Sequence, residues 1–160
     1  MSPANVYRFF ASKHAIESAI AGVLLDEVVR AAGAAVQRNG SAAERLRIVL
    51  QAVERLHAFR SVNDHRLHEL VVTAMRKNWS IVSSYADRLN STVAQVISEG
   101  QTRGEFSDAD PMIIARCVLG AASMYLDPSM VMAGTNFGRP TLDQMIDFCT
   151  DALRAVPANK

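Results

Sequence analysis

The placement of proline constrains this chain more than any other feature of its sequence. The five prolines stand at positions 3, 111, 128, 140 and 157, so positions 4 to 110 contain none. Proline inside a helix removes a hydrogen bond and clashes with the preceding turn, so a long stretch without it is open to continuous helix. No segment alternates apolar and polar residues over the length of a strand. The sequence therefore predicts an all-α fold.

Start and stop signals divide the chain into separate helices. Ser2-Pro3 predicts a short helix that ends near residue 10, and Ser12 caps a second helix that runs to residue 38. Capping boxes, in which a Ser or Thr and a Glu or Gln three residues later bond each other's backbone, begin at Ser41 and Thr141. The remaining spacing predicts a break over 61–64, a loop over 127–140, and helices over 65–79, 81–103, 111–126 and 142–155.

The helix predicted over 111–126 is apolar on every face after Arg116, where it reads CVLGAASMYL. Such a helix must be covered on all sides, and a second copy of the same helix is the simplest additional cover. The last helix also presents a wide apolar surface: Leu142, Met145, Ile146, Phe148, Cys149 and Leu153. We therefore predict a homodimer through helices 111–126 and 142–155. A central core helix in a monomer is the alternative.

Charge and composition exclude several classes of protein. The chain has 17 Lys and Arg against 16 Asp and Glu, which excludes a uniformly basic nucleic-acid coat protein. No apolar run reaches the roughly 18 to 20 residues of a membrane span, and the first residues do not form a signal peptide. The two cysteines, Cys117 and Cys149, are too few for a disulfide framework, and both are predicted to be buried, inert thiols. These features predict a cytoplasmic protein without a membrane partner.

The sequence contains no motif that would support catalysis or bind a cofactor. It lacks a Gly-x-Ser-x-Gly elbow, a Walker loop, a dinucleotide fingerprint and a His-Glu-x-x-His pair, so we predict neither an enzyme nor a cofactor. His57, His65 and His68 lie near Asp64 and Glu69, and the last two histidines could share an ion on one helical face. Their spacing matches no known ligand motif. We interpret them as a solvated helix start and predict no metal.

The first thirteen residues differ from the rest of the chain. Tyr7, Phe9 and Phe10 are aromatic, Arg8 and Lys13 are basic, and no acidic residue occurs before position 17. A short helix with a tyrosine hydroxyl and an arginine suits the backbone and groove of DNA. A simple packing helix is the other interpretation of these residues.

Residues 2–13 resemble the recognition-helix signature of the TetR family of transcriptional regulators. The shared pattern is a serine cap (Ser2), an aliphatic residue followed by tyrosine (Val6-Tyr7), phenylalanine three residues later (Phe10), and Ser12-Lys13 at the start of the next helix. The resemblance implies a TetR-like helical bundle with a partial helix-turn-helix over 1–14. It also implies a C-terminal ligand-binding and dimerisation domain over 15–156 and a tail over 157–160.

The resemblance also assigns contacts to DNA. It implies that Tyr7 and Lys13 contact phosphates, and that a second set of residues touches base edges: Pro3, Ala4, Asn5 and Arg8. Two helices precede this motif in the family, whereas here Met1 directly abuts it. We therefore expect that the sequence starts one helix pair too late.

The family's effector pocket lies inside the helical bundle, where methionine and aromatic side chains line adaptable apolar spaces. The predicted lining residues are Leu70, Met75, Trp79, Tyr85, Met112, Cys117 and Met124. Ordinary core packing is the alternative for each of them. Few charged residues fall on these faces, so a largely apolar or aromatic effector is expected.

These observations predict a TetR-like DNA-binding regulator, in the usual case a repressor, which a small-molecule effector releases from its operator. The alternative is a helical dimeric ligand-binding or interaction module without DNA-binding activity.

Overall fold

The computed structural model describes residues 12–130 and 138–154, and within these ranges the chain forms six helices. They are α1 (Lys13–Val36), α2 (Ala42–Asn63), α3 (His65–Arg76), α4 (Ser80–Thr102), α5 (Pro111–Leu126) and α6 (Leu142–Leu153). The β-type backbone pairing among the described residues is one isolated antiparallel bridge between Phe106 and Arg154. The predicted all-α class is confirmed.

The helix starts follow from the side chains that precede them. In α2, the Glu44 backbone N–H donates to Ser41 Oγ at 3.2 Å and the Ser41 backbone N–H donates to Glu44 Oε2 at 2.8 Å. Thr141 and Gln144 form the same reciprocal pair at the start of α6, with distances of 3.2 and 2.8 Å. Both predicted capping boxes are confirmed. Each satisfies two backbone donors that a helix start otherwise leaves unpaired.

Two predicted boundaries are wrong. The break expected over 61–64 is the single residue Asp64, because its side chain caps α3 by accepting from Leu67 N at 3.2 Å while its own N–H still donates to the Arg60 carbonyl. Helix α3 ends at Arg76 instead of near residue 79, because Asn78 adopts a left-handed conformation with φ 49°. The end predicted for the last helix, residue 155, lies outside the described residues, and α6 ends at Leu153.

Helix α2 is the centre of the bundle and packs against each of the other five helices. Its fully buried side chains include Leu46, Val49, Leu50 and Val53, which meet apolar side chains from α1, α4 and α6. Helices α4 and α2 approach closely at Gly100 of α4, where an added Cβ would lie 2.6 Å from the Cβ of Ala42.

Charged side chains also join the helices to α2. Buried Arg45 pairs with Glu99 of α4, and the Ala42 backbone N–H donates to Glu105 after α4 at 2.5 Å. On the surface, Arg47 pairs with Asp143 of α6 at 2.7 Å. These charged contacts join α2 to α4 and α6.

None of the six helices combines the length and the apolar character that crossing a bilayer requires.

Candidate functional site

Polar side chains occupy part of the interior between α1, α2 and α4. His57 and Arg60 lie three residues apart, and therefore on one face of α2, with only 5% and 6% of their surfaces exposed. Tyr85 of α4 is buried as well, and the charge of Arg60 acts on both His57 and Tyr85. We call these three residues the polar cluster. A bundle core ordinarily excludes such groups unless each has a partner.

Arg60 is only partly satisfied in this interior. Its Nη2 lies 2.5 Å from Oε2 of Glu27, a half-exposed residue of α1. Its Nη1 is fully buried and has no hydrogen-bond partner within the described part of the chain. Leaving a buried donor unpaired costs about 1–3 kcal/mol, and more for a charged group. The guanidinium therefore presents one donor that an acceptor atom of a bound molecule would satisfy.

His57 lies beside this donor in its neutral form. Burial, with further contributions from the charges of Arg60 and His68, lowers the pKa of His57 to about 4. Its Nε2 is also buried and has no partner among the residues that the structure describes. A neutral imidazole has one nitrogen that donates and one that accepts, so His57 can complement either kind of group on a ligand.

The third member of the cluster is a protonated phenol. Burial raises the pKa of Tyr85, the carboxylate of Asp127 raises it further, and Arg60 opposes the rise. Asp127 follows α5 directly, so four helices contribute to the surroundings of the cluster. The guanidinium of Arg60 is thus already paired with the carboxylate of Glu27, and a second carboxylate, that of Asp127, acts on Tyr85. The cluster has unpaired hydrogen-bonding atoms but no excess of positive charge.

The predicted lining residues fall into different environments. Tyr85 belongs to the polar cluster, while five others are partly buried: Leu70, Met75, Trp79, Met112 and Met124. Trp79 lies between α3 and α4, and its ring makes an edge contact with His14 near the start of α1, with 4.5 Å between the centroids. Cys117 is exposed on α5, so the expectation of a buried thiol is wrong at this position. Cys149 is buried as expected, and burial raises its pKa.

Most of the predicted DNA contacts cannot be placed. Pro3, Ala4, Asn5, Tyr7 and Arg8 lie outside the described residues. Lys13 is the first residue of α1; its side chain is exposed, with Nζ 3.6 Å from Glu17 Oε1. A weak pair of exposed charges leaves this ammonium available to a phosphate.

The histidines do not form a metal centre in the described parts of the chain. No group of three or more His, Cys, Asp or Glu side chains is arranged there to hold an ion. His65 and His68 lie with their ring centroids 6.5 Å apart, and His57 is buried on α2, close enough for the charge of His68 to act on it.

His57 and Arg60 are interior residues, so the interpretation of His57 as part of a solvated helix start is wrong. The apolar stripe of α2 passes through Val49 and Val53, and the next two positions of the same stripe are 57 and 60. Two polar residues that continue an apolar stripe were the signal that could have identified them. Glu27 and Asp127 gave no such signal, since only the packing of different helices brings them near the cluster.

Helices α5 and α6 also leave apolar side chains uncovered. Ile113 is 60% exposed and Phe148 is 71% exposed. Cys117, Gly120 and Ala121 are exposed on α5 between them in sequence. We call these five residues the α5–α6 surface. The apolar helix 111–126 is therefore not enclosed on all sides by the residues that the structure describes.

Comparison with known proteins identifies similar domains. A family described as "Tetracyclin repressor-like, C-terminal domain" matches residues 42–145. The solved structure of AibR without ligand is similar over 96% of this chain and 80% of AibR, with a TM-score of 0.59 and 19% identity. AibR in complex with isovaleryl coenzyme A and operator DNA is similar over 96% of this chain and 81% of AibR, with a TM-score of 0.62 and 17% identity. At these identities the likeness is one of fold. The curated proteins contain no match.

Proposed function

The chain belongs to the tetracycline-repressor-like family through its C-terminal domain, and from this premise we propose that it is a transcriptional regulator whose DNA binding responds to a small-molecule effector. The observation that carries the proposal is the polar cluster, because unpaired buried donors inside a family bundle mark a place where a ligand completes the structure. We propose that the regulator acts as a repressor.

The similar structure of AibR supports both halves of this proposal. AibR was solved with isovaleryl coenzyme A and operator DNA bound. By analogy, residues 1–14 of this chain form the end of a helix-turn-helix, and 15–156 form the effector and dimer domain. Tyr7 and Lys13 contact phosphates, and the base edges are read by Pro3, Ala4, Asn5 and Arg8.

Helix α1 is the proposed link between the two activities. It begins at Lys13, immediately after the proposed DNA-reading segment, and reaches Glu27 about 21 Å further along its axis. There Glu27 pairs with Arg60 of the polar cluster. A ligand that changes this pairing favours a different position of α1, and the population shifts to a spacing of DNA-binding heads that no longer fits the operator.

The α5–α6 surface is the proposed dimer interface. Its small residues Cys117, Gly120 and Ala121 permit close approach of a second α5, and Phe148 offers a large apolar side chain to bury. A two-fold dimer would present two recognition helices to the two halves of a palindromic operator.

We propose that the chain is a DNA-binding protein of the cytoplasm rather than an enzyme. Regulators of this family are generally not enzymes. A second candidate is a dimeric ligand-binding module without DNA activity. The family match supports only this part of the proposal directly, because it describes a C-terminal domain and begins at residue 42.

A DNA-binding selection separates the two candidates. The protein is used to select double-stranded sequences from a random library, and the selected site is then titrated at several salt concentrations. We expect a palindromic site, weaker binding by Tyr7→Phe and Lys13→Ala, and a salt slope that is smaller by about one for Lys13→Ala. Lys77→Ala, an exposed lysine after α3, is the matched control. Failure to select any sequence would favour the ligand-binding module.

A further inference from the structure

The unpaired atoms of the polar cluster restrict the chemistry of the ligand. Nη1 of Arg60 can only donate, since a guanidinium has no acceptor. The ligand must therefore place an acceptor atom against it, and a carbonyl oxygen is the commonest such acceptor. Alkyl amines and simple hydrocarbons offer no such oxygen.

The charges around Arg60 restrict the ligand further. Nη2 of Arg60 already lies 2.5 Å from the carboxylate of Glu27, and Asp127 acts on the neighbouring Tyr85. A ligand carboxylate would be a second negative charge against a guanidinium that Glu27 already pairs, in a largely desolvated place where uncompensated charge is costly. A neutral carbonyl oxygen accepts the same hydrogen bond without that cost.

Arg45 is the other buried arginine with unpaired nitrogens, but its setting differs. It is held by Glu99 and by the carbonyl of Val36, and it lies at the start of α2 beside the end of α1. No second unpaired polar side chain lies on the same turn of α2. Arg60, in contrast, has His57 three residues away with its own buried, unpaired Nε2.

We propose that the polar cluster binds an uncharged acyl group, whose carbonyl oxygen accepts from Arg60 Nη1 while its apolar chain packs among the neighbouring core side chains. This inference rests on the proposed function and adds the chemical class of the effector. An amide also satisfies His57, because its N–H donates to Nε2; an ester or thioester accepts from His57 instead. The expected largely apolar effector thus carries one defined polar group.

Matched fragments test the proposal directly. Alkyl amides and esters of four to eight carbons are compared with the corresponding carboxylates, amines and hydrocarbons, using ligand-observed NMR on the whole protein. We expect the amides and esters to bind, and the amines and hydrocarbons not to bind. Arg60→Met should weaken amide binding about 10- to 100-fold, as expected for loss of a hydrogen bond to a charged group. Thermal melting establishes that the variant is folded.

Glu27→Gln tests the argument from charge. Removing this carboxylate should raise the affinity of the matched fatty acids at least several-fold relative to that of the amides. Asp26→Asn is the control, because Asp26 is the adjacent acid of α1 and pairs with Arg88 at the surface. If Arg60→Met proves unfolded, the gain in fatty-acid affinity in Glu27→Gln tests the proposal alone.

The proposal is overturned if no carbonyl fragment binds, if amides bind Arg60→Met as well as the natural chain, or if carboxylates are preferred before Glu27 is changed. The DNA selection described above distinguishes this failure from failure of the proposed function. Sequence-specific DNA binding without any carbonyl binding would contradict only the ligand class. Arg60-dependent amide binding without DNA binding would contradict only the regulator.

Discussion

His57 and Arg60 occupy core positions of α2 that apolar side chains fill in the preceding turns. Burial of a polar group is unfavourable unless a partner compensates it, so such residues reduce the stability of the free protein. Glu27 compensates half of the Arg60 guanidinium, and nothing in the described residues compensates His57 Nε2. These missing hydrogen-bond partners are the physical reason to assign these residues to binding rather than to stability.

The buried imidazole makes stability depend on pH. The unfolded chain takes up a proton on His57 as pH falls below about 6.5, whereas the folded chain resists until pH about 4. Stability is therefore lost as pH falls through this window, by about 2 kcal/mol at pH 5 for this group. Urea unfolding at pH 7.5 and pH 5, at one protein concentration, should show this loss reduced by about 2 kcal/mol in His57→Gln. His14→Gln, an exposed histidine, is the control, and an equal loss in His57→Gln would contradict the assignment.

Gly100 tests the packing of α4 against α2. In Gly100→Ala the new Cβ would meet the Ala42 Cβ and the Phe106 ring, each at 2.6 Å, and Ala42 cannot rotate away. We expect a loss of about 1–3 kcal/mol in the free energy of unfolding, despite the better helix propensity of alanine. Gly33→Ala in α1 is the opposite case, since nothing lies within 4 Å of its Cβ. It should gain about 0.5–1 kcal/mol. Equal effects of the two changes in urea unfolding would show that the helices are not packed this closely.

At the scale of the helices, local signals predicted the structure wherever a side chain acts on its own backbone. The boxes at Ser41 and Thr141 and the Asp110-Pro111 start of α5 are local, and the structure contains each of them. The width of the break near Asp64 was mispredicted because one residue both ends α2 and caps α3. The burial of Cys117 was mispredicted because composition cannot tell which side of an apolar helix faces the core.

The α5–α6 surface supports a prediction about assembly. Phe148 is largely exposed in the single chain and would be buried against the partner in the proposed dimer. Phe148→Lys should therefore convert a dimer into a monomer, because an unpaired charge cannot be buried in an apolar interface without a large penalty. Light scattering after size-exclusion chromatography measures the mass. Val62→Lys changes an equally exposed apolar residue of α2 and should remain dimeric; a dimeric Phe148→Lys would place the interface elsewhere.

At the scale of the whole molecule, the candidate site depends on contacts that sequence alone could not give. Tyr85 was predicted as a lining residue from its type and its place on a helix. Glu27, Arg60 and Asp127 come from three different regions of the chain, and only the packing of α1, α2 and α5 brings their charges together. The sequence therefore did not predict that the candidate site is polar. It predicted only that a ligand pocket lies inside the bundle.

In the proposed function, α1 is the connection between ligand and DNA, since it carries both Lys13 and Glu27. Coupling of this kind is reciprocal and typically amounts to about 5- to 150-fold in affinity. The most direct test is the affinity of the protein for its selected DNA site, measured with and without a saturating amide ligand. We expect at least a fivefold weaker affinity for DNA with the ligand, and no such change in Arg60→Met. An unchanged DNA affinity, with the ligand shown to be bound, would contradict it.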